Sequence, residues 1–320
     1  MRQTLADLRT LYDSELAPTL VEIQEAREDV KRRALNLSMI LFLVLAILFY
    51  GFTHSILLLA VAAALAAVVA LIYYSVGKKK QTNRFKDFVI QKVLNLVAPE
   101  MTYDREDYVS KEQFKKSGIY TASLSSYDGE DCFSGKFEGI DLIFSEVHAQ
   151  EKVSSSNGKG GRTTSYRTIF KGVFFIADFH KDFRSSTLVI PMAAERVFGR
   201  SIGRLMKKLN FSHRGLLTRM ECPEFEKMFA VYAQDAIEAR YILTPNIMER
   251  MIAIQRRFPG NVAFAFHDSE IYIAIPLNAD FFEPSRQLDF ACVTALYEQL
   301  RLFLDLVHDL NLTLRIWTKT

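Results

Sequence analysis

From Ala34 to Gly77 the chain carries no Asp, Glu, Lys or Arg, and His54 is the sole histidine in that interval. Two apolar runs fill it, ALNLSMILFLVLAILFYGF at 34–52 and SILLLAVAAALAAVVALIYYSV at 55–76. Each is about 20 residues, or about 30 Å of helix, which matches the hydrocarbon thickness of a bilayer. The reading is a transmembrane hairpin, 34–76, closed by a tight turn at Gly51 to His54. A charged stretch precedes the first run and no small-residue cleavage site follows it, so an anchor is expected and not a removable leader.

The flanks orient the hairpin. Lys31, Arg32 and Arg33 stand before it and Lys78, Lys79, Lys80, Arg84 and Lys86 after it, while the turn has no Lys or Arg. Both termini are therefore expected in the cytoplasm. Tyr50, Tyr73 and Tyr74 fall near helix ends, where amphipathic rings favour the interface. Alanines from Ala60 to Ala70 permit close helix approach, either inside the hairpin or against a second copy in a homo-oligomer. Polar groups within the spans amount to Asn36 and Ser38 near one edge, which disfavours a two-helix pore.

The segment 1–33 reads as an amphipathic cytosolic helix, with Leu5, Leu8, Leu11, Leu16, Leu20, Ile23 and Val30 at roughly helical spacing and Pro18 expected to kink or split it. It is expected to pack on the protein's own cytosolic part, with a coiled-coil contact to a partner as the alternative. After the hairpin, 77–119 reads as a basic helical connector, in which Phe85, Phe88, Val89, Lys92, Val93 and Leu96 recur at helical spacing. Its lysines lie near headgroups, where each cation is attracted by about 1 kcal/mol.

A formal charge of +3 and the lack of basic clusters interleaved with aromatics speak against nucleic acid. Cys132, Cys222 and Cys292 are widely spaced and odd in number, fitting neither a disulfide framework nor a zinc knuckle.

Residues 120–320 read as a cytosolic α+β domain of antiparallel strands with covering helices. In GIDLIFSEVHA, Ile140, Leu142, Phe144, Glu146 and His148 share one strand face, and YRTIFKGVFFIADF gives a longer neighbour. Between them, SSSNGKGGRTTS at 154–165 reads as a hairpin loop whose spacing does not match GxxxxGK[ST]. Helices are expected over Ala194–Leu209, Ala236–Leu243, Asn246–Phe258 and Arg286–Leu310, with Asp235 and Thr244 as caps. Strands are expected over Gly215–Met220 and Met228–Ala233, and a hairpin turns at His267 to Glu270.

Three stretches, YDGEDCFSGKFEGIDLIFSEV at 127–147, FKGVFFIADFHKDF at 170–183 and ECPEFEKMFAVYAQDAIEARYILTPNIMERM at 221–251, together resemble the bacterial family known as domain of unknown function 3137. The resemblance spans nearly the whole chain. It implies a multi-pass protein of the bacterial inner membrane and a partner of the LemA type, and it transfers no catalytic residue.

One constellation has the spacing for metal chemistry. Asp178, His180 and Asp182 stand at i, i+2 and i+4, on one face if the strand continues, with Glu146 and His148 on the neighbouring strand available to complete a shell. Lys181 beside the acids, and Phe179 and Phe183 as signs that the strand is ending, argue for an ordinary solvated strand end instead. No serine has nucleophile-elbow glycines and no cysteine sits in an activating signature. In 223–250 the charges match capping and helix-face needs, with Glu238 or Glu226 expected to pair with Arg240. These residues imply a membrane-tethered interaction or scaffold module with no cofactor. A metal-dependent membrane-associated enzyme and an accessory subunit of a transport complex are the alternatives.

Overall fold

The computed structural model describes residues 4–53, 56–157, 161–192, 215–258, 260–278, 280–310 and 312. They form two compact units, 1–96 with 282–298, and 97–281 with 299–320.

The first unit is built on helices. Thr4 opens α1 (Leu5–Leu11) with a capping box, its hydroxyl accepting from the Asp7 amide and the Asp7 carboxylate accepting from the Thr4 amide at 2.8 Å. A π turn, Tyr12–Leu16, leads directly into α2 (Ala17–Thr53). The helix is not split at Pro18, which lies at the start of α2 directly after the π turn. The Ala17 amide donates to the carbonyl of Tyr12, five residues back, so the hydrogen-bond ladder has already shifted where proline lacks a donor.

The returning arm repeats the pattern: α3 (Ile56–Phe85), a π turn at Lys86–Ile90, then α4 (Gln91–Val97). The arms run antiparallel, with Lys92 on Glu15 at 2.6 Å and Arg84 on Glu22 at 2.8 Å. The arms come close at Gly77, where a Cβ would stand 2.4 Å from a methyl of Val30.

Leu8, Leu16, Leu20 and Ile23 are buried, as are Phe85, Val89, Ile90, Val93 and Leu94. The N-terminal stripe thus packs within its own unit, where Tyr12 also meets the edge of Phe290 at 5.2 Å between ring centroids. Burial changes along α2 and α3. Each contains a stretch long and apolar enough to cross a membrane. There only small side chains such as Ala62 and Ala66 are buried, while Ile47 is 73% and Leu57 74% exposed.

The second unit is a nine-stranded antiparallel sheet among the described residues, in the order β1-β2-β3-β4-β9-β8-β5-β7-β6. Its strands are β1 (Met101–Asp104), β2 (Ser126–Phe137), β3 (Ile140–Asn157), β4 (Gly161–Asp178), β5 (Thr187–Pro191), β6 (Leu216–Thr218), β7 (Phe229–Ala233), β8 (Ala263–His267) and β9 (Glu270–Pro276). The helices are α5 (Lys111–Lys116), α6 (Pro223–Met228), α7 (Ala236–Ile242), α8 (Pro245–Arg257) and α9 (Phe290–Asp309), the last beginning in the first unit and ending in the second. The α+β reading therefore holds.

Both faces of the central strands are covered, which explains why residues 173–177 of β4 read as an unbroken apolar run. On one face Phe174 and Ile176 join Val109, Phe114, Val147 and Tyr272 in a core cluster. On the other, Phe144 stacks between Phe133 and Phe175 and meets Phe303 of α9 at 5.6 Å between centroids. Gly172 lets β9 come close, since a Cβ there would overlap the Ile275 carbonyl, and its φ is +149°.

Two expectations need adjusting. Most of 154–165 is strand: Ser154 pairs with Thr164 and Lys152 with Tyr166, so β3 and β4 extend through the polar stretch. Ladder hydrogen bonds belong to the backbone, and Ser and Thr support them without an apolar face. The C-terminal helix starts at Phe290 and not at Arg286, because the Asp289 carboxylate caps it by accepting from the Cys292 amide at 3.0 Å. The helix expected at Ala194–Leu209 lies outside the described residues.

Candidate functional site

Asp178, His180 and Asp182 lie at the end of the sheet where β8 turns into β9. Asp268 and Ser269 make that turn with φ of 49° and 66°, the left-handed pair of a two-residue hairpin. The Phe179 amide donates to the Ser269 carbonyl at 2.8 Å, which holds the chain leaving β4 against the turn.

β4 stops at Asp178, so the three residues do not share a strand face. The Asp178 carboxylate accepts from the His180 amide at 2.8 Å, and His180 takes a left-handed φ of 55°. His180 Nδ1 is 3.6 Å from the other Asp178 oxygen. Asp182 accepts from the Ser269 hydroxyl at 2.7 Å. Glu146 and His148 stand elsewhere: their register partners on β4 are Val173 and Lys171, while Asp178 pairs with Glu270. Glu146 accepts from the Phe281 amide at 2.6 Å, and a His148 ring nitrogen is 3.2 Å from the Thr168 hydroxyl.

The same sheet end holds a cation the sequence did not reveal. Lys116, in the last turn of α5, reaches Asp268 at 3.3 Å and Glu270 at 3.2 Å. Desolvation opposes its charge, but hydrogen bonding and Coulomb attraction from Glu270, then Asp268, outweigh that and raise its pKa. The Tyr272 hydroxyl donates to Glu270 at 2.5 Å, and burial followed by that acceptor pushes its pKa up. Lys181 lies over the Tyr241 ring, 4.7 Å from its centroid, and burial lowers its pKa. Nothing in the spacing of residues 116 and 270 could have brought them together. The pairing depends on α5 packing beside a strand far along the chain.

The charged segment 223–250 resolves into structural bonds. Glu226 accepts from the Met220 amide at 2.8 Å, and Glu238 from the amides of Arg184 and Ser185 at 2.8 and 2.9 Å. Neither carboxylate forms the expected pair with Arg240, because loop amides lacking a ladder partner occupy them. Asp235 caps α7 and Thr244 caps α8, as read from the sequence. Arg250 donates to the carbonyls of His308 and Asp309 at 3.1 and 2.8 Å, satisfying the end of α9.

The fold thus defines a broad antiparallel sheet unit, whose distinctive charges hold turns and helix ends, attached to a pair of long apolar helices. Residues 168–312 match the family described as "Protein of unknown function (DUF3137)". No curated protein matches the chain. Among solved structures, the crystal structure of the mycobacterial trehalose monomycolate transport factor A, TtfA, is similar at 12% identity over 72% of this chain and 95% of that one, with a TM-score of 0.35.

Proposed function

We propose that the protein is a membrane-tethered cytosolic binding module of the bacterial inner membrane, with no catalytic chemistry of its own. The supporting observation is the unburied apolar surface of α2 and α3. Side chains such as Leu35, Met39, Ile40, Leu43 and Leu71 are exposed on helices long enough to span a bilayer. In water that surface costs about 25 cal/mol per Å², and lipid removes the cost.

The sheet unit supports the binding half of the reading. Acids and cations such as Asp182, Glu226, Asp235, Glu238 and Lys116 are engaged in caps, turns and ion pairs, which leaves a recognition surface as the simplest use. Beyond the Ser126–Gln150 and Gly172–Pro276 pairs, the β3–β4 ribbon has no further strand neighbour among the described residues. It presents Lys152, Val153, Tyr166 and Arg167 to solvent. Such a ribbon suits docking to another membrane protein, a LemA-type protein included.

Cysteine accessibility tests the anchor and its orientation together. In intact cells carrying a Cys222→Ser background, a membrane-impermeant maleimide is expected to label Thr53→Cys and to spare Lys152→Cys. External labelling of Lys152→Cys would overturn the orientation, and release of the protein by alkaline carbonate would overturn the anchor.

A further inference from the structure

The polar ends of the two long helices enclose a cavity of about 610 Å³ within the first unit. Gln24, Arg27, Glu28 and Lys31 line it from α2, Tyr74, Lys78 and Thr82 from α3, and the segment from Glu283 to Arg286 closes it. Lys31 is three residues before the apolar run of α2 begins at Ala34, about 4.5 Å of helix rise, and Tyr74 belongs to the apolar run of α3. The cavity therefore lies at the depth of lipid headgroups if α2 and α3 span a bilayer.

Its charges do not balance. Arg27, Lys31, Lys78 and Arg286 face Glu28 and Glu283 across the lining. Glu283 is taken by Lys86, at 2.6 Å from a side chain that is 2% exposed. Glu28 accepts from the Gln24 side-chain amide at 3.3 Å. Among the described residues Lys31, Lys78 and Arg286 make no ion pair. Arg27 is held in place by one bond, from a terminal nitrogen to the Ser285 carbonyl at 3.1 Å. Its buried Nε has no partner, and neither has the buried Gln24 Oε1. Burial lowers the Arg27 pKa against the opposing pull of Cys292, Glu283 and Tyr74, so the guanidinium is short of compensating charge.

We propose that this cavity binds the phosphate of an anionic ligand, with Arg27 and Arg286 as the principal donors and Lys31 and Lys78 supplying charge. A guanidinium tethered through one terminal nitrogen keeps its charge and its other terminal donor for phosphate oxygens. Clustered cations immediately beside a membrane helix meet phosphate chiefly on lipid headgroups. The phosphodiester of an anionic glycerophospholipid and free phosphate share the recognised chemistry. Only the lipid source depends on the membrane reading.

Calorimetric titration of the full chain in a zwitterionic detergent separates these sources. Dihexanoyl phosphatidylglycerol, dihexanoyl phosphatidylcholine and inorganic phosphate are the three probes. Saturable binding of the phosphatidylglycerol is expected, roughly tenfold weaker in Arg286→Gln and in Lys78→Gln, and unchanged in Arg32→Gln. Arg32 is the control because it removes the same charge from the same flank but is highly exposed and pairs with Asp29. Arg286 and Lys78 are chosen because they hold no other element of the fold, whereas Arg27→Gln would also release Ser285. Phosphatidylglycerol binding without phosphate binding assigns the lipid, and equal binding of both assigns the free anion. Equal losses in Arg32→Gln and Arg286→Gln, equal binding of phosphatidylcholine, or no binding at all would overturn the proposal. A protein that fails the carbonate test but still binds phosphate would reject the anchor and keep the site.

Discussion

The strand β4 and the helices α2 and α3 are made from the same apolar residue types and treat them in opposite ways. From Val173 to Ala177 every residue of β4 is buried, sandwiched between an aromatic layer that includes Phe114 and another that includes Phe303. In the apolar runs of α2 and α3 the large side chains point outward and the small ones, Ala62 and Ala66, are buried. Core formation in water selects bulk for the inside. Helix pairing in lipid gains little from burying Leu or Ile, since the tails are as apolar, and so selects small residues at the contact.

That contrast can be broken most sharply by truncation. Phe174→Ala should cost about 3–5 kcal/mol, through lost transfer energy and the cavity left behind. Ile47→Ala should stay within about 0.5 kcal/mol in detergent. Urea unfolding of the detergent-solubilised chain, followed by circular dichroism, measures both. Equal costs at the two positions would mean that Ile47 is covered in a way the contrast denies.

Enlargement tests the opposite side. Ala66→Leu should destabilise the helix pair by about 1–3 kcal/mol through overpacking, whereas Leu65→Ala on the outward face should be close to neutral. Helix–helix proximity, read from a disulfide engineered across the pair, reports each change. If Leu65→Ala proved the more damaging, the outward face would be a contact surface with another protein.

The smallest effect is expected where the sequence spacing suggested metal. Asp178→Asn, His180→Gln and Asp182→Asn in combination should leave a folded protein whose zinc and manganese content, by elemental analysis, equals the parent's. Loss of a stoichiometric ion from the folded variant would restore the enzyme alternative. Asp178 and Asp182 are engaged with the His180 amide and the Ser269 hydroxyl, local bonds that account for both acids.

Local signals carried the sequence reading well. The caps at Asp235 and Thr244, the hairpin at residues 267–270 and the apolar runs all depend on neighbours within a turn or two of one another. What escaped depends on distant partners or on backbone alone. Lys116 meets Glu270 only because the sheet brings them together. Glu226 and Glu238 were expected to seek Arg240, but loop amides claimed them, and side-chain charge gives no warning of where an unpaired amide will fall. The sequence pattern of the polar strand ends at 154–165 matches a loop, because side-chain periodicity is silent where pairing is by backbone. The π turn has a local signature of its own. Leu11 and Leu16 are five residues apart in an otherwise three-and-four pattern, and the π turn at Tyr12–Leu16 occupies that interval.

The two π turns also bear on how this protein can change length. A π turn holds one residue more than the α turn it replaces, and the helix on either side keeps its angular phase. Removing a residue from 12–16 or from 86–90 would let the ladder close as ordinary α-helix with the stripes on both sides still aligned. The same deletion at Glu25, within α2, would rotate everything beyond it by about 100° and turn the buried stripe toward solvent. Within these helices, single-residue gaps and insertions among homologous sequences should therefore collect at these two turns.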